Sequence, residues 1–195
     1  MHPGQEKLHR TGRLIGPALL LFALIGACQE SPDVPLQAVE AALAADPACG
    51  NESFLSTVLY GSIEREVHWA AEELHCESML RPNGQGVRLR FTGEAAGSQL
   101  AIILALPELE RGATGAESPT VVTLTVEGSG RFFSTATPEF CWSDIEAQEP
   151  VGDSAELYDI AGTLYCVAPL GEINGEAAIS IPEMAFRGIV DWSAS

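Results

Sequence analysis

Hydrophobic and polar positions alternate with a period of two along most of the chain. Val87, Leu89 and Phe91 are separated by Arg88 and Arg90, the pattern of a strand with one buried face. Residues 100–106 are apolar on both faces, which predicts a central strand with the small Ala101 and Ala105 on one side. Val122, Leu124 and Val126 alternate with Val121, Thr123 and Thr125, and Glu127-Gly128-Ser129-Gly130 leads into Arg131-Phe132-Phe133-Ser134-Thr135. That arrangement predicts a hairpin. Residues 141–149 and 158–167 read as two strands joined through Pro150-Val151-Gly152-Asp153, and 178–181 and 184–192 as two more. About nine strands are expected, with no helix-period segment after residue 48. The chain is therefore expected to be all-β, an antiparallel β-sandwich, with a partly closed β-barrel as the alternative. A glycine follows an apolar strand stretch at Gly61, Gly93, Gly162 and Gly188. Such glycines mark bulges, bends or close backbone approach.

The N-terminal segment breaks this pattern. Residues 14–27 form a continuous apolar run behind Lys7, Arg10 and Arg13. The run is shorter than the ~20 residues that span a bilayer. A basic start, a short apolar stretch and small residues at its end are the parts of a secretory signal. Ile25-Gly26-Ala27-Cys28 resembles the lipobox of a bacterial lipoprotein signal. That resemblance implies cleavage before Cys28, a diacylglycerol on its sulfur and often a third chain on its amine. Two or more acyl chains hold a protein firmly on a membrane without spanning it. Gln29 follows the cysteine. Among Gram-negative lipoproteins, Asp at that place resembles an inner-membrane retention signal, so the resemblance implies an envelope protein of the outer rather than the inner membrane.

The chain thus divides into a signal peptide (1–27), a lipidated tether (28–48) and a β-sandwich domain (49–195). Leu36, Val39 and Leu43 form a thin apolar stripe in a helix-favouring stretch of the tether. Phe133-Ser134-Thr135, Cys141-Trp142-Ser143-Asp144-Ile145 and residues 162–170 loosely resemble the disulfide-stapled β-sandwich ectodomains of bacterial lipoproteins. The resemblance covers roughly residues 86–192. It implies fold and location, and it carries no activity and no catalytic residues.

Charge narrows the partners. Loss of residues 1–27 takes away three of the ten basic and one of the 27 acidic residues, leaving seven arginines, no lysine and 26 carboxylates, a net charge of −19. Nucleic acid is excluded, because phosphate binding needs a cationic patch. Electrostatic adhesion to anionic lipid is excluded for the same reason. The acidity is an ordinary solubility device, with binding of cations or a basic partner as the sharper reading.

Cys49, Cys76, Cys141 and Cys166 remain after Cys28, an even number suited to an oxidising compartment. Three connectivities are open. Folding residues 141–149 back on 158–167 sets Cys141 opposite Cys166, Ser143 opposite Leu164, Ile145 opposite Gly162 and Ala147 opposite Ile160. That register favours a Cys141–Cys166 bridge and leaves Cys49 for Cys76. Each bridge closes a loop of about 25 residues and contributes roughly 3–4 kcal/mol.

Candidate chemistry is sparse. His68, Glu72, Glu73 and His75 lie close in sequence but lack the order of a zinc protease motif. Asp144, Glu146, Glu149, Asp153, Glu156 and Asp159 offer the oxygen ligands that calcium takes, without an EF-hand or β-roll spacing. A solvated acidic hairpin end is the ordinary reading of those carboxylates, and no cofactor is implied. The chain has no G-x-S-x-G elbow and no phosphate-cradling loop. Trp69, Phe132, Phe133, Trp142, Tyr165 and Trp192 fit core packing better than a glycan site. Residues 107–119 form the longest stretch without strand pattern. Its Glu108, Glu110, Arg111 and Thr114 are the first candidates for a recognition loop.

The function expected from these features is a non-enzymatic, membrane-tethered β-sandwich that binds an envelope protein or glycan, or serves as a structural envelope component. A calcium- or metal-dependent envelope hydrolase is the alternative.

Overall fold

A computed structural model describes Asp46 and residues 48–193. The expected signal segment, Cys28 and the helix-favouring stretch over 36–45 lie outside the described residues. The domain is all-β, with two short 3₁₀ turns at Ala71–Glu73 and Pro138–Phe140.

Thirteen antiparallel strands form among the described residues. They are β1 (Phe54–Gly61), β2 (Arg65–Ala70), β3 (His75–Leu80), β4 (Val87–Ala95), β5 (Ser98–Leu106), β6 (Gly115–Pro119) and β7 (Val121–Val126). β8 (Arg131–Ser134), β9 (Cys141–Pro150), β10 (Leu157–Cys166), β11 (Leu170–Glu172), β12 (Ala178–Ser180) and β13 (Met184–Asp191) complete the set. One layer runs β2-β1-β13-β10-β9-β6 and the other β3-β4-β5-β7-β8-β11-β12. β1 joins them: residues 54–57 pair with β13, while Tyr60 and Gly61 pair with β12. Hydrogen bonding is thereby continuous around one corner, yet β3 and β6 stand at opposite ends of the path and do not pair. The result is a sandwich-like sheet that does not close into a barrel.

The inner faces follow the alternation in the sequence. Leu89 and Phe91 of β4 and Met184, Phe186 and Val190 of β13 are buried, and the Phe91 and Phe186 rings meet across the layers at 6.2 Å. β5 lies between β4 and β7, as a strand apolar on both faces should. The glycines mark the tightest approaches. A Cβ on Gly93 would lie 2.5 Å from the buried Trp69 ring, and Gly188 sits in the same way under Phe91. The Trp69 indole N–H donates to the Glu94 carbonyl at 2.7 Å, tying β2 to β4.

The disulfides are Cys49–Cys76 and Cys141–Cys166. In the β9–β10 hairpin Cys141 faces Cys166, Ser143 faces Leu164 and Ile145 faces Gly162. The expected fourth pair does not form. A bulge places Ala147 opposite Ala161 and Gln148 opposite Ile160. Gly162 sits at this irregularity, where a Cβ would come within 2.5 Å of the Asp144 carbonyl oxygen. An inserted residue flips every later side chain on β9 to the other face. Gln148 thus points inward and is buried, whereas Ala147 is only half-buried.

Two further expectations need correction. Residues 107–119 are not loop throughout, because the last five form β6 at the sheet edge, irregularly paired with β9. Pro119 and Glu117, the latter with φ +56°, make a strand with no apolar period. Such a strand is tolerated only at an edge. The described residues also make thirteen strands where about nine were expected. Several of the additional ones, such as β6 and β11, are short or polar.

Candidate cleft at the end of the sandwich

Residues 107–114, between β5 and β6, arch over one end of the sandwich. Leu109 anchors the arch by its burial. Gln148 holds it by hydrogen bonds. Its side-chain amide donates to the carbonyls of Glu110 at 3.0 Å and Ala113 at 2.7 Å. Its oxygen accepts from the Gly112 N–H at 2.9 Å and the Trp192 indole N–H at 3.1 Å. A glutamine side chain offers two donors and an oxygen with two lone pairs, so its full capacity is used.

Trp192 forms the floor. Its backbone N–H donates to the Glu156 carbonyl at 2.9 Å. The Arg111 guanidinium lies 5.9 Å from the ring centroid, pairs with Glu156 at 2.7 Å and donates to the Ala155 carbonyl at 3.3 Å. The β3–β4 turn is the far wall, with Gly86 packed against the Leu106 and Pro107 carbonyls. Between turn, arch and indole lies a cleft of about 490 Å³. Its chemistry is one guanidinium, two exposed carboxylates, the Gln85 carboxamide, backbone amides and an indole floor. No hydroxyl, thiol or imidazole lines it among the described residues. Such a surface can bind through polar contacts, and its carboxylates are its reactive side chains.

Three of the four candidate loop residues, Glu108, Glu110 and Arg111, line this cleft, and Thr114 does not. The acidic hairpin is not gathered into a site. Glu156 pairs with Arg111, and Asp159 pairs with Arg187 at 2.8 Å. Asp144 accepts from the Glu117 backbone N–H at 2.7 Å. Glu149 faces Asp159 across the hairpin, while Glu146 sits at the bulge and Asp153 in the exposed turn beyond β9. At about 3.3 Å per strand residue, the stretch of β9 from Asp144 to its end at Pro150 alone spans roughly 20 Å, whereas calcium ligands sit within about 2.6 Å of the ion. No group of three or more His, Cys, Asp or Glu side chains able to hold a metal occurs among the described residues. His68 is exposed on β2, and His75, on β3 of the other layer, bonds Asp46. The Ala48 N–H and then His75 hold the Asp46 carboxyl below its ordinary range.

The aromatics divide by layer face. Trp69, Phe133 and Trp192 are buried, whereas Phe132 is exposed and Trp142 and Tyr165 are half-buried on the outside. Sequence reasoning did not single out Gln148, and Asn83-Gly84-Gln85-Gly86 reads from the sequence only as a turn. Gln148 becomes legible only when the Gly162 irregularity is carried through the register, since strict alternation leaves it outside. The Gly84–Gly86 turn joins the cleft through a tertiary approach that has no local signal.

No protein-family model matches this chain, and no curated protein or solved structure does so either.

Proposed function

We propose that this chain is a membrane-anchored extracytoplasmic lipoprotein whose β-sandwich binds an envelope protein or glycan at the cleft beneath residues 107–111, without catalysing a reaction. The anchor rests on the apolar run ending in Ile25-Gly26-Ala27-Cys28, and Gln29 favours the outer membrane. The binding role rests on one observation. The backbone of residues 110–113 is tied to a buried Gln148 whose side-chain donors and oxygen are all engaged. Preorganised polar loops lose little entropy on binding, and a rigid sandwich commonly presents recognition on such loops.

Two experiments test the two halves separately. Cys28→Ser should leave the protein unlipidated and move it out of the membrane fraction; unchanged attachment would refute the anchor. A photo-cross-linking residue at Glu108 should give a discrete envelope adduct in intact cells, absent when the same residue stands at exposed Glu66. Identical adducts from both positions would refute the cleft.

A further inference from the structure

The hairpin that supplies Gln148 inward carries a different surface outward. Register places Pro119 of β6, Trp142 of β9 and Tyr165 of β10 in one row across three strands. Residues directly opposite in a ladder share a face. Their neighbours Cys141, Ser143 and Leu164 are buried, so this row faces out. The next row adds Val167, 69% exposed, whose N–H donates to the Phe140 carbonyl at 2.8 Å. On the other side stand Asp144 and Glu117. The Asp144 carboxylate accepts the Glu117 N–H and so fixes that residue at φ +56°. The Cys141–Cys166 bridge lies immediately beside the aromatic row and locks its two strands together.

The electrostatics of the patch are one-sided. Desolvation, and then the Glu117 and Asp144 charges, push the Tyr165 phenol above its ordinary value. Four arginines are engaged elsewhere: Arg90 with Glu77 and Glu127, Arg111 with Glu156, Arg131 with Glu172, and Arg187 with Glu52 and Asp159. No ion pair reaches Glu117 or Asp144 among the described residues. Aromatic faces attract cations through their quadrupole, and flanking carboxylates add charge. No arginine of the described residues pairs with either carboxylate, which leaves both open to a cation from another molecule.

We propose that the outer face around Trp142 and Tyr165 docks a basic, extended segment of a partner protein. Its lysine or arginine heads rest over the rings and against Glu117 and Asp144. This surface is independent of the cleft and lies on the outer face of the hairpin whose inner face carries Gln148.

The test uses the full chain in detergent at low salt, titrated with an octalysine peptide. Of the three tryptophans, Trp69 and Trp192 are buried, so acrylamide quenching reports mainly on Trp142. Peptide should protect this fluorescence saturably. Glu117→Gln with Asp144→Asn should weaken binding roughly fivefold, as expected for two flanking charges. Asparagine keeps the oxygen that accepts from Glu117, so the local fold is retained. A control pair, Glu64→Gln with Glu66→Gln, removes the same charge elsewhere and should change affinity less than about twofold. Equal weakening by both pairs would reduce the effect to net charge and overturn the proposal. So would absence of protection, or equal protection by fully acetylated octalysine. Concentration-dependent protection without peptide, abolished by the Glu117/Asp144 pair, would make a second copy the occupant and overturn it as well.

Discussion

Gln148→Ala is the most direct probe of the link between fold and cleft. The substitution removes the partner of four groups at once: the carbonyls of Glu110 and Ala113, the Gly112 N–H and the Trp192 indole N–H. Each hydrogen bond contributes about 0.5–1.5 kcal/mol net, and a buried group left unpaired costs about 1–3 kcal/mol. The arch lies at the surface, so water recovers part of the loss for the backbone groups. Trp192, only 8% exposed, recovers least. The expected cost is about 3 kcal/mol. For a domain of this size each kcal/mol moves Tm by about 2–4 °C, so the melting temperature should fall by roughly 6–12 °C. Calorimetry measures that fall, and hydrogen exchange at the Gly112 amide localises it. Gln148→Glu makes a sharper control. Its carboxylate still accepts but cannot donate to Glu110 and Ala113 while ionised. Burial disfavours that charge and raises its folded pKa. With the folded pKa above the unfolded one, the variant should gain stability as pH falls toward the unfolded glutamate value and lose it as pH rises. If Gln148→Ala lowers Tm by less than about 2 °C and leaves Gly112 exchange unchanged, the arch is held by other contacts and the argument for a preorganised cleft fails.

Three further predictions address the scaffold. Gly93→Ala puts a methyl group 2.5 Å from the Trp69 ring and should destabilise by about 2–4 kcal/mol, since overpacking displaces a buried indole; urea unfolding reads the loss, and near-wild-type stability would mean that β2 moves freely. Removing either disulfide opens a loop of 25 or 27 residues and should cost about 3 kcal/mol, while non-reducing peptide mapping should recover only Cys49–Cys76 and Cys141–Cys166 links in the intact protein. The Arg131 guanidinium holds the Glu172 carboxyl below its ordinary value of 4.5, so its contribution is present above that value and lost as pH falls through the lower folded pKa; Glu172→Gln should flatten the acid limb of the stability curve, and an unchanged limb would assign acid sensitivity to other carboxylates.

Much of the architecture was legible because burial on one face of a strand writes itself into every second residue. Val87, Leu89 and Phe91 required no tertiary information, and neither did the doubly apolar 100–106. The cysteine register was legible for the same reason, up to Gly162. Beyond that glycine, one inserted residue reversed the faces, and the sequence carried only the warning that a bulge was near. β6 was hidden because an edge strand can be polar on both faces, leaving no alternation to read.

The candidate site divides in the same way. Residues 107–119 were marked by what they lacked, a strand pattern, and with them Glu108, Glu110, Arg111 and Thr114, of which Thr114 lies off the cleft. Nothing local placed Trp192 or the 84–86 turn beside them, since these lie far apart in the chain and meet only when the two layers pack. The acidic hairpin shows the converse. Six carboxylates close in sequence are strung along an extended ladder, so strand rise separates them and arginines occupy two. Periodicity and cysteine parity, both properties of neighbours along the chain, determined the all-β class and the two bridges. The bulge at Gly162 decided which side of β9 Gln148 faces, and with it that Gln148 ties the 110–113 backbone to Trp192, because side-chain direction in a strand depends on the register accumulated through the ladder.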